Sequence, residues 1–148
     1  MLSLCQVGPA PPAELVARFA RAGAGVVALR RGPEGAIVHR RDAKAHEAVV
    51  LPPDAPPPRR ADTGETWEVP ACAGVAAVDP TGCGNAFCGG FLASWRAGEA
   101  LPDAGVWGCV AASFMLEVQA VPPQPPHALR DKAMERVDAL RRRVKRLS

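Results

Sequence analysis

The sequence predicts an α/β fold, in which helices pack on a sheet around one core. Two observations point to it. Segments whose apolar residues recur every three or four positions, opening near Leu15, Phe87, Val106 and Leu129, alternate with short apolar runs at 25–30, 36–39, 67–70 and 75–78 that read as strands. The last of these runs leads through a glycine-punctuated turn, Asp79-Pro80-Thr81-Gly82-Cys83-Gly84, straight into a helix. The chain of 148 residues suits one domain with a core of ordinary size.

Residues 1–12 show no period and read as an irregular N-terminal segment. Pro12 then suits the first turn of a helix, along which Leu15, Val16, Phe19 and Ala20 keep helical spacing until Gly23. A strand follows over Gly25 to Arg30. Arg30-Arg31-Gly32-Pro33-Glu34-Gly35 breaks it, and an extended pattern resumes over Ala36 to His39, so the two runs read as a hairpin. Residues 41–64 are charged, proline-rich and aperiodic, and cannot bury enough surface to offset their ordering entropy; they read as a disordered loop. Within them, Pro52 to Arg60 also has the composition of a polyproline ligand.

Trp67 to Pro70 and Val75 to Val78 read as short strands flanking Cys72, Ala73 and Gly74. The next helix opens near Gly84, carries Phe87, Phe91, Leu92 and Trp95, and ends near Gly98. Leu101-Pro102-Asp103 opens another, with Asp103 offsetting the helix dipole. Its wide apolar face, Val106, Trp107, Val110, Ala111, Phe114, Met115 and Val118, predicts a buried helix. Pro122 to Pro126 stops it. Residues 122–148 then read as a proline-rich linker and a basic C-terminal helix with an apolar stripe of Leu129, Ala133, Val137, Leu140, Val144 and Leu147.

The formal net charge is +3, and from Arg130 onward eight Lys/Arg face three Asp/Glu. A basic amphipathic helix invites membrane or nucleic-acid readings. No aromatic lies in it to anchor at an interface or stack on a base, so the expectation is a closing helix packed on the sheet with a solvated basic face. Cysteines 5, 72, 83, 88 and 109 are odd in number and lack C-x-x-C spacing, which fits a reducing compartment. No apolar run reaches ~20 residues, and the N-terminal stretch is not a leader, so a soluble, cytoplasmic protein is expected. Ser94 and Ser113 lack a G-x-S-x-G setting, and His39, His46 and His127 have no acid at useful spacing.

The chemistry sits in the glycine turn. The first N–H groups of a helix have no intrahelical partner and the dipole adds positive charge there, so phosphate oxygens fit. Gly82 and Gly84 let a ligand approach the backbone. A dinucleotide fingerprint is excluded, because its third glycine would fall on Phe87, and a Walker A loop is excluded by the lack of a lysine in the turn.

The turn resembles the second signature of the PfkB (ribokinase-like) carbohydrate kinase family, D-T-x-G-A-G-D-x-F. Asp79, Thr81, Gly82, Gly84 and Phe87 match, Pro80 occupies a tolerant place, Cys83 replaces a small residue, and Asn85 stands where the family keeps its aspartate. The G-N pair and the later run WGCVAASFMLE are similar to a divergent maintenance-of-killer-like branch. The resemblance covers residues 13–121 and implies the C-terminal half of a ribokinase-like three-layer αβα sandwich with a mainly parallel sheet.

It also implies ATP and Mg²⁺ as cofactors and phosphoryl transfer to a sugar-like hydroxyl. Gly82, Cys83 and Gly84 would form the anion hole, and Asn85 would hold the catalytic position. Arg30, in place of the family's threonine, would lie with Gly32 and Gly35 beside the nucleotide phosphates. Cys109 would neighbour adenine, core packing being the alternative there. Asp79 and Thr81 would help hold a monovalent cation such as K⁺. Asn85 cannot take up a proton at neutral pH, so the chain alone is expected to be weak or inactive; a non-catalytic pseudokinase or truncated paralogue working through a protein partner is the alternative.

Overall fold

The structure, a computed structural model, describes residues 10–22, 24–41 and 64–147. The loop expected at 41–64 therefore lies outside the described residues apart from its two ends, as do residues 1–9 of the expected irregular start. In chain order the elements are α1 (Pro12–Arg21), β1 (Val26–Arg30), a 3-10 turn (Gly32–Glu34), β2 (Ala36–Arg40), β3 (Glu65–Val69), α2 (Cys83–Arg96), α3 (Leu101–Leu116), a second 3-10 turn (Pro126–Leu129), α4 (Arg130–Arg141) and β4 (Lys145–Arg146).

α1 begins where proline suits it, with Pro12 in its first turn, and carries an i,i+4 ion pair between Glu14 and Arg18. Its buried residue, Val16, packs on Val27 and Ile37, with Leu29 beside them. β1 and β2 form a hairpin, closed where the Arg31 N–H donates to the Gly35 carbonyl at 2.8 Å. Gly35 has φ 92°, and a Cβ there would run into the Val69 carbonyl and the backbone of Pro70 and Ala71, so glycine is required by the approach of β3.

Along these strands the period of two separates the faces. Val27, Leu29 and Ile37 meet α1, while Val26, Ala36, Val38 and Val69 belong to the main core with α3 on the other side. Helices thus cover both faces of the sheet. α3 lies against β2 and β3 through Gly105, whose missing side chain lets Val69 Cγ2 come within 2.9 Å of where its Cβ would be. Two further glycines bring α2 and α3 together: a Cβ at Gly90 would meet the Trp107 carbonyl at 2.5 Å, and one at Gly108 would meet the Phe87 ring at 2.8 Å. Leu101, Ala104, Val106 and Val110 complete this core, and α4 adds Val137 and Leu140, both essentially inaccessible.

Three expectations are corrected. The described sheet has four strands in the order β1-β2-β3-β4, and every pair is antiparallel rather than mainly parallel. β1 and β2 are joined by too few residues for the crossover that a parallel pair demands. Residues 75–78 are not a strand: no strand lies beside them among the described residues, and the N–H groups of Val78 and Asp79 instead donate to the Leu116 carbonyl at 2.8 and 3.2 Å. Finally, the C-terminal helix packs on α3 and stops at Arg141, and the chain turns to add β4 to β3. Arg146 pairs there with Glu65 at 2.7 Å and lies over the Trp67 ring at 5.8 Å, contacts that a continuing helix would forgo.

Candidate functional site

The turn ahead of α2 is held by its own side chains. The Asp79 carboxylate accepts the Thr81 N–H at 2.8 Å, an Asx-type bond that turns the chain, and hydrogen bonding from Thr81 holds Asp79 below the usual carboxylate range. Leu116, at the end of α3, fixes the preceding residues through the two bonds to its carbonyl. Gly82 is the N-cap, with φ 84°, and a Cβ there would meet Met115 Cε at 2.8 Å. Both glycine demands, the left-handed angle and the contact with α3, therefore fall on Gly82.

The orphan donors of the helix can be followed one at a time. The Cys83 N–H donates to the Pro80 carbonyl at 3.2 Å, and the Ala86 N–H to Gly82 at 2.9 Å. The N–H groups of Gly84 and Asn85 find no acceptor among the described residues. Of the residues expected to form the anion hole, Cys83 has its amide engaged within the turn, while the open amide of Gly84 is followed by that of Asn85. The Cys83 thiol points back to the Asp79 carbonyl at 3.9 Å, and burial followed by the nearby Asp79 charge raises its pKa.

The sheet contributes a cation. Arg30, the last residue of β1, lays its guanidinium against Gly84, so that any side chain at position 84 would collide with Nη1. Arg30 makes no ion pair among the described residues. Arg31 is committed elsewhere, to Glu34 at 3.0 Å and to Glu68 on β3. Of two adjacent arginines equally suited to phosphate by sequence, the strand's alternation sends one to the turn and ties the other to the sheet.

Gly32 has φ 58° in the hairpin turn and faces open space, while Gly35 is packed on the end of β3. Cys109 is 6% exposed inside the main core, where burial and the neighbouring Cys72 push its thiol up to about 12. That is the environment of a packing residue. The side chain of Asn85 is exposed on the first turn of α2.

A feature not foreseen is the polar cluster where α4 meets α3. Arg136 donates to Glu117 at 2.7 Å and to the Ser113 hydroxyl at 2.7 Å, and stacks on Phe114 at 4.4 Å. Lys132 adds a second cation to Glu117 at 3.2 Å. It joins residues 15 to 23 apart in sequence, so no local pattern announces it.

No three His, Cys, Asp or Glu side chains converge as a metal-binding group among the described residues. No described helix is long and apolar enough to cross a membrane.

The profile of the pfkB family carbohydrate kinases matches residues 2–126. The chain belongs to the PfkB family. Solved structures similar to this PfkB chain include a probable sugar kinase from Rhizobium etli CFN 42, at 26% identity and TM-score 0.59, with 83% of this chain and 30% of that one covered. A nucleoside kinase of Methanocaldococcus jannaschii, an archaeal member of the ribokinase family, matches at 22% identity and TM-score 0.55, covering 78% and 30%. The Burkholderia thailandensis nucleoside kinase in complex with inosine matches at 24% identity and TM-score 0.55, covering 80% and 31%. The PfkB chain thus spans about a third of the length of these kinases. No curated protein matches it significantly.

Proposed function

We propose that this PfkB chain supplies the phosphate-holding part of an ATP-dependent kinase whose acceptor is a sugar-like hydroxyl. The observation that carries the reading is the pairing of two open amides, at Gly84 and Asn85, with the Arg30 guanidinium laid against Gly84. Fixed N–H dipoles and a cation aimed at one point stabilise the charge that develops on phosphoryl oxygens. Gly32 in the hairpin turn offers a second open backbone position for the phosphates.

Asn85 suits orientation rather than proton transfer. An amide donates and accepts hydrogen bonds but cannot hold a proton at neutral pH. Losing general-base help costs roughly 10²–10⁴-fold, while positioning and electrostatics remain. This supports placing the chain in the maintenance-of-killer-like branch, with slow chemistry or none in the chain alone. ATP when bound supplies the transferable phosphoryl group, with Mg²⁺ held by its phosphates, and Asp79 and Thr81 would contribute to a K⁺ site.

A second reading, a pseudokinase that acts through a protein partner, is favoured by Asn85. Calorimetry of the 148-residue chain with ATP and Mg²⁺ tests the shared premise. Binding heat that weakens at least tenfold in Arg30→Ala is expected. Folded protein giving no heat would remove nucleotide binding from both readings, and phosphate transfer to sugars or nucleosides by the pure chain would overturn its catalytic weakness.

A further inference from the structure

The basic end of the chain is arranged differently from what helical spacing predicts. Positions 141–146, Arg141-Arg142-Arg143-Val144-Lys145-Arg146, hold five cations in six residues. On a continuing helix, steps of about 100° per residue would spread them around the axis. Instead α4 ends: the N–H groups of Arg143 and Val144 both donate to the Leu140 carbonyl, at 2.8 and 3.1 Å, and the Leu147 N–H donates to the Thr66 carbonyl at 2.8 Å. Leu140 is buried and Val144 packs against the main core, so the turn is anchored from inside while its five cations are exposed. Arg141 spends Nε on Asp103 at 2.7 Å, and Arg146 pairs with Glu65 at 2.7 Å. The other three meet no carboxylate among the described residues. Arg143 reaches a neutral partner, the Ala71 carbonyl, at 3.4 Å, and Arg142 and Lys145 make no hydrogen bond or ion pair there. Glu68, across the ladder from Lys145, is committed to Arg31.

We infer that this turn is a docking surface for the sugar-phosphate backbone of double-stranded nucleic acid. A duplex carries about one negative charge per 1.7 Å of axis, and here three unneutralised cations meet it from a backbone that is already fixed. Guanidinium groups, which make up most of the cluster, engage phosphodiester oxygens two at a time. Contacts of this kind position a duplex without reading its bases. Single strands are held by stacking on aromatic side chains, and the exposed aromatic among the described residues is Phe19, on α1. A membrane surface rewards a buried apolar face, whereas beside this turn the large exposed apolar residue is Leu147 alone among the described residues. The strand order sets β4 at the opposite edge of the sheet from β1 and Arg30. The inference therefore does not depend on nucleotide binding.

The test is fluorescence anisotropy of the full 148-residue chain with a short labelled DNA duplex. Three phosphate contacts predict an affinity that falls about fortyfold between roughly 50 and 200 mM salt. A single strand of the same length should bind more weakly. The double variant Arg142→Glu, Lys145→Glu alters two exposed residues, so it should keep the parent's melting temperature, weaken duplex binding at least tenfold and flatten the salt dependence. Should that reversal not fold, Arg142→Ala with Lys145→Ala gives the same reading with a smaller loss. Arg30→Ala should bind the duplex like the parent, which separates this surface from the phosphate site. Absence of binding at low salt, tighter binding of the single strand, loss of binding in Arg30→Ala, or unchanged affinity in the folded double variant overturns the proposal. Tighter binding to phosphatidylserine vesicles than to the duplex would overturn it too, and assign the turn to a membrane surface.

Discussion

The guanidinium of Arg30 rests on Gly84, with no space between them for a methyl group. The contact sets a full positive charge beside the positive end of α2. It joins the end of β1 to the first turn of a helix more than fifty positions later.

Gly84→Ala should push Arg30 away and fill the approach to the open amides. Nucleotide binding measured by calorimetry should fall at least tenfold. Stability should hold or rise by up to about 1 kcal/mol, because alanine is the better helix former. A variant that melts like the parent and binds equally well would separate Arg30 from the phosphate site.

Asn85→Asp places a carboxylate in the first turn of α2, where the dipole favours it by about 0.3–1 kcal/mol. Chemical denaturation of the chain should show that gain. In a full-length PfkB kinase carrying the same asparagine, the substitution should raise turnover by roughly 10²–10⁴-fold. Turnover that stays level while stability rises would place Asn85 outside the base position.

Leu140, on the basic C-terminal helix, is 1% exposed in the main core. Leu140→Ala should cost about 2–5 kcal/mol in urea denaturation. A loss within about 0.5 kcal/mol, the size of an ordinary surface change, would mean that α4 does not share the core.

Glu117 gives the acid limb of stability. Burial acts to raise its pKa, but hydrogen bonds from Arg136 and Lys132 and their charges prevail, and hold it below the usual carboxylate range. A depressed folded pKa means that the contribution is present above the unfolded value, about 4.3, and is lost as pH falls through the lower folded value. Arg136→Ala should therefore lower stability above the unfolded value and flatten its loss on acidification, read from urea midpoints between about pH 3 and 6. An acid limb as steep as the parent's would show that Arg136 does not set the Glu117 pKa.

Thiol chemistry should follow burial. Cys88 is exposed, whereas Cys109 is enclosed with its pKa at about 12. Iodoacetamide at neutral pH should modify Cys88 first and reach Cys109 only on unfolding, as peptide mass spectrometry would show. Modification of native Cys109 at a comparable rate would remove it from the core.

The helices were legible because their causes are local. Pro12, Leu101-Pro102 and the glycine turn mark starts, and 3.6-residue spacing marks faces, so α1, α2 and α3 stand within a few residues of their expected limits. The hairpin was legible for the same reason, in Gly32 and Gly35. Residues 75–78 misled because a strand exists only beside a partner, and apolar composition does not say whether one is present. The end of α4 misled because Val144 and Leu147 continue a helical spacing that β4 overrides by pairing with β3.

By itself the sequence singled out the residues proposed to hold phosphate: a glycine turn running into a helix, an asparagine where a base is expected, two arginines at the close of a strand. Tertiary structure alone decided which of them meet. It turned Arg30 toward Gly84 and Arg31 toward Glu68, closed the Cys83 amide on Pro80 and left those of Gly84 and Asn85 open. Direction is set by strand alternation and by the packing of α2 on α3 through Gly90 and Gly108, and those contacts join residues that no window of sequence contains.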